Sequence, residues 1–259
     1  MNSITSLFRS TLGRKFVMAG TGAILFLFVV GHLAGNLQIF GPPEMINRYG
    51  HFLKSVPELL WGARLFLLAC VTLHILTAVQ LAIQNKEARP VAYAGGAAYG
   101  STWQSRYMVG TGLVVLAFIL YHLAHFTVLT PAVNGVGDFS RLETTLPGGV
   151  ACHDVYAMMV LGFQVWWVAL FYLVAQALLF IHLSHGIAGM FQSLGFKNHV
   201  WGPRIKRFAQ VASVAIFLGY ASIPVSIYLR VVGSDYADQK RIELKTAAVA
   251  DTAGKEAAK

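Results

Sequence analysis

Charge is scarce in this sequence of 259 residues. Asp, Glu, Lys and Arg together make up 12% of it, whereas about 25% of a typical soluble domain is charged. A water-soluble fold of this length would lack the charged groups that cover such a surface. Hydrophobic residues account for 56% of the chain and the mean hydropathy is +0.59. These values indicate a protein that is solvated mainly by lipid.

Cysteine and acidic residues are scarce as well. The two cysteines, Cys70 and Cys152, form no closely spaced pair, which argues against a zinc site or a disulfide framework. Eleven acidic residues against twenty basic ones leave a formal net charge of +9. In a membrane protein this excess is typical of basic flanks beside anionic lipid headgroups. We therefore expect a lipid bilayer as a partner, and no nucleic acid.

Five stretches are long and apolar enough to span a bilayer, which takes roughly 20 helical residues. They lie at 16–40, 59–83, 107–129, 155–191 and 208–229. The first is too long for the apolar part of a cleavable signal peptide, and the fourth is overlong for one crossing. We predict an all-α integral membrane protein with three parts: a cytoplasmic N-terminal segment, a five-helix domain and a disordered polar tail. These cover 1–13, 14–232 and 233–259.

Basic residues predict the orientation of the spans. They cluster before the first span, between the second and third, and between the fourth and fifth, whereas the alternate loops hold only three. The clustered residues are Arg9, Arg14, Lys15, Lys86, Arg89, Arg106, Lys197, Arg204, Lys206 and Arg207; the others are Arg48, Lys54 and Arg141. The positive-inside rule then places the N-terminus in the cytoplasm and the C-terminus outside.

Histidine is the ionisable residue that recurs inside the spans. Each of the first four spans carries at least one and the fifth carries none; the six are His32, His74, His122, His125, His182 and His185. An ionisable group at membrane depth is costly and points to a function. The alternative for any single one is a neutral histidine that a nearby carbonyl or hydroxyl satisfies. The other three, His51, His153 and His199, fall in predicted loops.

The depths of four histidines match in pairs. His32 and His122 lie 17 and 16 residues beyond the last basic residue of their inner flanks, about 25 Å at 1.5 Å per residue. His74 and His182 each lie ten residues before a glutamine at the inner end of their span, about 15 Å by the same rise. Helix tilt can shift such depths by several ångströms.

Two depth-matched pairs suit two bis-histidine b haems. No Asp or Glu lies near these histidines, whereas zinc and di-iron sites need three or more ligands that often include carboxylates. Haem iron needs only two axial ligands from the protein.

His125 and His185 lie one helical turn from their neighbours, so they suit contacts to propionates or to the ligands. Two haems at different depths form an electron path, for which we expect soluble redox partners and a membrane quinone.

A series of motifs in order along the chain carries a family resemblance. It comprises Gly13-Arg14-Lys15-Phe16-Val17-Met18, His32-Leu33-Ala34-Gly35-Asn36-Leu37, Asn47-Arg48-Tyr49, Leu73-His74-Ile75, Asn85-Lys86-Glu87-Ala88-Arg89-Pro90, Ser105-Arg106-Tyr107-Met108, Tyr121-His122-Leu123-Ala124-His125-Phe126 and His182-Leu183-Ser184-His185-Gly186. Over about residues 5–230 the chain resembles the dihaem cytochrome b membrane subunit of succinate:quinone oxidoreductases, the single-subunit five-helix type also found in quinol:fumarate reductases.

The resemblance implies which histidines pair. The haem proximal to the iron–sulfur subunit would be bound by His74 and His182, and the distal haem by His32 and His122. A flavoprotein with covalent FAD and an iron–sulfur protein would be the partner subunits, in a complex that could form a higher oligomer. Menaquinone or ubiquinone would be the membrane substrate, and the location would be a bacterial cytoplasmic membrane.

Arginine and glutamate residues supply further site predictions. Arg106, at the start of the third span, is the preferred propionate contact; Arg9, Arg14, Lys15 and Arg89 could hold propionates or the iron–sulfur subunit, or simply set the topology.

In the family, quinone chemistry lies near the distal haem. The loop after the first span offers Glu44, Asn47, Arg48 and His51, and Glu58 begins the second span. Glu44 and Glu58 are the predicted proton-exchange residues, although either could be a solvated carboxylate or a helix-start charge that favours the dipole. Some relatives carry a glutamate two residues before the fourth-span histidine, where this chain has Phe180 and so lacks the carboxylate of that proton route.

Two other functions fit parts of the pattern. The cytochrome b subunit of a formate dehydrogenase or hydrogenase also uses histidines in membrane helices, but the motif order fits it poorly. A haem-free transporter or proton channel with a histidine relay would show no haem absorbance.

Overall fold

Five helices in the structure are long and apolar enough to cross a membrane. The computed structural model describes residues 10–88 and 106–257. The five spanning helices are α1 (Thr11–Asn36), α3 (Pro57–Glu87), α4 (Met108–Phe126), α6 (Trp166–Ser193) and α7 (Trp201–Tyr228). The prediction of five helices able to span a membrane is therefore confirmed, and these helices are consistent with a multi-pass membrane protein.

The surfaces of these helices are apolar. Large aliphatic side chains such as Leu27 on α1, Leu65 on α3 and Leu120 on α4 are 60–67% exposed. Such side chains would be costly in water, whereas the hydrocarbon of a bilayer solvates them. The exposed faces therefore fit a lipid environment.

Shorter elements lie between and after the spans. They are α2 (Pro43–Ser55), α5 (Val155–Phe163), α8 (Ser234–Ala257), and a hairpin of β1 (Glu143–Leu146) with β2 (Val150–His153). The strands are antiparallel, with Glu143 opposite His153. Gly148 and Gly149 form the connecting turn with φ of 102° and 82°, in the left-handed region that glycine tolerates. Apart from this hairpin, the described elements are helical, as predicted.

The predicted fourth span is two helices rather than one overlong helix. Asp154 caps α5 by accepting a hydrogen bond of 2.9 Å from the backbone N–H of Ala157. All eight residues from Tyr156 to Phe163 are buried, so α5 is apolar because it belongs to a protein core. The spanning part of 155–191 begins only at Trp166.

The C-terminal tail, expected to be disordered, contains helix α8. Gly233 precedes it with φ of 72°, and a Cβ there would lie 2.7 Å from Val160 Cγ2. Ala237 is fully buried, and the Tyr236 hydroxyl donates a 2.6 Å hydrogen bond to Asp154 Oδ2. These contacts order a segment whose composition is that of a soluble tail.

The chain divides into two compact units. The first lies within Met1–Leu33, Glu58–Val115 and Ala177–Leu218; the second lies within Ala34–Pro57, Leu116–Gln176 and Gly219–Lys259. The second unit has a continuous apolar core of residues from α2, α5, the hairpin region and the adjoining parts of the spans.

Candidate haem-binding residues

Two of the predicted ligands come together in the first unit. The imidazole rings of His74 on α3 and His182 on α6 have centroids 6.5 Å apart and planes inclined by 65°. A metal about 2.0 Å from one nitrogen of each ring would set the centroids roughly 6–6.5 Å apart. The observed separation therefore fits an iron bound axially by these two residues.

The protonation state of His74 follows from its neighbours. Its Nδ1 lies 3.2 Å from the carbonyl oxygen of Met18 and 3.3 Å from the Thr21 hydroxyl. Thr21 has one hydroxyl proton, and the carbonyl of Val17 lies only 2.7 Å away to accept it. Both oxygens beside Nδ1 therefore act as acceptors, so Nδ1 carries the proton and Nε2 has the free lone pair that a metal requires.

His182 has a similar environment on α6. Its Nδ1 lies 3.2 Å from the Thr111 hydroxyl, which donates its own proton to the carbonyl of Met108 at 3.1 Å. The hydroxyl oxygen can then accept from the imidazole, and both hydrogen bonds form together only when Nδ1 of His182 carries the proton. Like His74, His182 is favoured in the tautomer that leaves Nε2 available.

A glycine follows each of these threonines and lies beside the same imidazole. A Cβ on Gly22 would be 3.2 Å from His74 Cε1, and one on Gly112 would be 3.4 Å from His182 Cε1. The α1 backbone thus approaches the His74 ring more closely than a side chain would comfortably allow, whereas a Cβ at Gly112 would only touch the His182 ring.

The threonines and glycines belong to an internal repeat that the sequence analysis missed. Met-Ala-Gly-Thr-Gly at 18–22 recurs as Met-Val-Gly-Thr-Gly at 108–112, and a Phe-x-x-x-His segment ends at His32 and again at His122. Comparing α1 with α4 at an offset of 90 residues would have found it. The repeat would not have shown that each threonine contacts the histidine of another helix.

In the second unit, Tyr172 contacts both histidines of α4. Its hydroxyl lies 3.2 Å from His122 Nδ1 and 3.0 Å from His125 Nδ1. His125 is fully buried, with its ring stacked on Phe126 at a centroid distance of 3.9 Å. Its Nε2 has no hydrogen-bond partner among the described residues, and a Cβ on Gly162 would lie 3.0 Å from that atom. The backbone of α5 leaves little space for a macrocycle at His125, so the geometry favours His122 over His125 as a ligand.

The remaining predicted ligand residues are half-buried. In the first unit, His32 stacks on Phe28 with ring centroids 5.3 Å apart, and His185 lies one turn beyond His182 on α6. His122, the predicted partner of His32, belongs to the second unit.

The predicted charged site residues lie at helix starts. Arg106, beside the start of α4, is exposed, as are Glu44 in the first turn of α2 and Glu58 in the first turn of α3. Arg14 is half-buried and Lys15 is exposed. Arg9 and Arg89 lie outside the described residues.

Asn47 has a packing contact instead of a free polar side chain. It is buried, its Nδ2 donates a 3.1 Å hydrogen bond to Asp154 Oδ1, and its Oδ1 accepts a 2.9 Å bond from the backbone N–H of Tyr156. It therefore connects α2 to the start of α5. This contact was not predicted, because 107 residues separate Asn47 from Asp154 in the chain.

No protein-family model, curated protein or solved structure matches this chain.

Proposed function

We propose that this chain is the dihaem cytochrome b membrane-anchor subunit of a succinate dehydrogenase or fumarate reductase. The observation that carries the proposal is the His74–His182 pair: two imidazoles 6.5 Å apart, each with Nδ1 bound to a threonine hydroxyl. Engagement of the second ring nitrogen is typical of metal-ligating histidines. The ordered sequence motifs add support that is independent of this geometry.

Four histidines have the role of axial ligands in this proposal. His74 and His182 bind the proximal haem, and His32 and His122 the distal one. Bound haem supplies one-electron redox chemistry between the iron–sulfur subunit and the quinone. His125 and His185 lie one turn from ligand positions and suit supporting contacts, and Arg106 suits a propionate.

Proton exchange with the quinone is assigned to the two carboxylates that begin α2 and α3. Quinone reduction consumes two protons, which requires a group in contact with water. Glu44 and Glu58 are exposed, so either can exchange protons with solvent. Glu44 lies within the loop after the first span, on the side where the proposed distal haem lies.

The proposed setting is a bacterial cytoplasmic membrane with the N-terminus inside. The basic flanks then face the cytoplasm, where a flavoprotein carrying FAD and an iron–sulfur subunit bind the anchor. Succinate or fumarate chemistry takes place on the flavoprotein, and this chain exchanges electrons with menaquinone or ubiquinone.

Absorption spectra of the purified complex test the proposal. We expect two low-spin b haems after dithionite reduction, and loss of one of them in each of the His32→Ala, His74→Ala, His122→Ala and His182→Ala variants. His199→Ala, a change at an exposed residue, is the control and should retain both. Absence of haem from the wild-type protein would favour the histidine-relay transporter. Co-purification of a formate dehydrogenase or hydrogenase would favour that enzyme class.

A further inference from the structure

We propose that Thr21 and Thr111 are positioning residues that set the tautomer of His74 and His182 and thereby the reduction potential of the haem these histidines bind. The inference rests on the proposed function. It assigns a role to two membrane-embedded hydroxyl groups that belong to the internal repeat.

Each threonine hydroxyl has a single proton, which bears on whether the hydroxyl donates to the imidazole or accepts from it. Thr21 Oγ1 lies 2.7 Å from the Val17 carbonyl and Thr111 Oγ1 lies 3.1 Å from the Met108 carbonyl. A carbonyl only accepts, so while each hydroxyl proton bonds the carbonyl of its own helix, the hydroxyl oxygen can accept from an imidazole N–H. In the opposite histidine tautomer the hydroxyl would have to leave that carbonyl to donate to Nδ1, so one of the two hydrogen bonds would be lost, and the tautomer is disfavoured for that reason.

His74 and His182 differ in how many hydrogen-bond acceptors lie beside Nδ1. His74 Nδ1 has the Met18 carbonyl at 3.2 Å in addition to Thr21. For His182 Nδ1, Thr111 is the only hydrogen-bond partner among the described residues. Loss of the Thr111 hydroxyl should therefore have a larger effect than loss of the Thr21 hydroxyl.

The expected direction follows from ligand basicity. An acceptor on Nδ1–H increases electron density at Nε2, which favours binding to ferric over ferrous iron. Removing the acceptor should raise the midpoint potential. Each tenfold loss of the preference for the ferric form corresponds to about 59 mV for one electron.

Thr77 provides a matched control on α3. It is buried, and its hydroxyl lies 2.7 Å from the Leu73 carbonyl and 3.1 Å from the His74 carbonyl. It thus has the same kind of hydrogen bond within its helix as Thr21 and Thr111. Its described hydrogen bonds do not include an imidazole, so Thr77→Val loses the intrahelical bond alone.

The experiment is a redox titration of the purified complex with the electron paramagnetic resonance spectrum of each ferric haem. The variants are Thr111→Val, Thr21→Val, Thr77→Val and Thr111→Ser. We expect the potential of the haem that is lost in His74→Ala to rise most in Thr111→Val and less in Thr21→Val. It should stay at the wild-type value in Thr77→Val and Thr111→Ser. The potential of the other haem should stay constant throughout.

The outcomes separate this inference from the function on which it rests. If both haems are present in the wild type but Thr111→Val and Thr77→Val have the same midpoint potential, the positioning role is wrong and the cytochrome assignment stands. If the wild type contains no haem, the assignment fails and the inference fails with it. Should Thr111→Val not assemble, Thr111→Ala removes the same hydroxyl with a smaller side chain, and the same comparison decides.

Discussion

The hydroxyl oxygen of Tyr172 lies 3.0 Å from Nδ1 of His125 inside the core of the second unit. The same oxygen lies 3.2 Å from Nδ1 of His122. Because a phenol has one proton, it can donate to only one of these nitrogens, and the other nitrogen must be the donor. If His122 binds iron through Nε2, its Nδ1–H donates to Tyr172 and the phenol donates to His125. Tyr172 then supports the ligand directly, and His125 supports Tyr172.

This arrangement predicts different losses at the two histidines of α4. His122→Ala should lose one haem. His125→Ala should retain both haems but lose about 2–4 kcal/mol of stability, because it creates a buried cavity and leaves a phenol unpaired. Haem content per protein and the thermal unfolding midpoint in detergent measure both effects. Loss of a haem in His125→Ala with retention in His122→Ala would show that His125 is the ligand.

A methyl group on Gly22 should disturb His74. The new Cβ would lie 3.2 Å from His74 Cε1, so the ring must move by a few tenths of an ångström. We expect haem affinity to fall toward the lower end of the roughly 10–100-fold range that loss of ligand support costs. Gly20→Ala is the control, since no described atom lies within 4 Å of a Cβ there. Equal haem retention by the two variants in a competition assay would contradict the prediction.

Removing the carboxylate of Asp154 should destabilise the second unit. Loss of the helix cap costs about 0.5–2 kcal/mol, and leaving the Asn47 and Tyr236 donors unpaired costs about 1–3 kcal/mol more. We therefore expect Asp154→Ala to lose about 1.5–5 kcal/mol in denaturant unfolding, combining these two costs. Asp138→Ala is the comparison. Asp138 also caps a turn, at Ser140, but its side chain is 40% exposed, so the loss should stay below about 1 kcal/mol.

His153 should make stability depend on pH. Burial and then the positive charge of Lys54 lower its pKa, against the opposing effect of Asp154, and its Nε2 has no hydrogen-bond partner among the described residues. Since the unfolded chain then takes up the proton more readily, the stabilisation is complete above the ordinary pKa of 6.5 and declines as the pH falls below it.

The corresponding measurement compares the unfolding midpoint at neutral pH and about one pH unit below the ordinary histidine pKa. His153→Asn should show a smaller fall than the wild type, and the exposed His199→Asn should match the wild type. An identical fall in all three proteins would mean that His153 does not contribute.

The spans were predictable because solvation by lipid depends on the polarity of each side chain and not on its tertiary contacts. The stretch at 59–83 lies inside α3 and that at 208–229 covers α7 from Phe208 to its end at Tyr228, since each needs only a sufficient run of apolar residues. The prediction of a single span at 155–191 is wrong for the same reason. Hydropathy cannot tell α5, which is apolar because it is buried in protein, from α6, on which large side chains such as Trp166, Leu170 and Val174 are exposed.

At the C-terminal helix α8 the prediction from composition is wrong in the opposite sense, because it missed a helix. Its composition is charged and alanine-rich, which predicts a disordered tail. Contacts with the core of the second unit reverse this: Ala237 is buried, and Asp154 accepts a hydrogen bond from the Tyr236 hydroxyl and lies 3.8 Å from Lys240 Nζ. Nothing in the local sequence of α8 indicates that Asp154, more than 80 residues earlier, is its partner.

The sequence by itself determined a helical chain with five apolar spans, four of which carry histidine. These properties depend on residue type and on spacing along a helix. Only the tertiary structure decided that Thr21 lies beside Nδ1 of His74 and Thr111 beside Nδ1 of His182, and so which ring nitrogen is engaged. A hydrogen bond needs two atoms within about 3.5 Å, and between residues 53 or 71 positions apart that distance depends on which helices pack together.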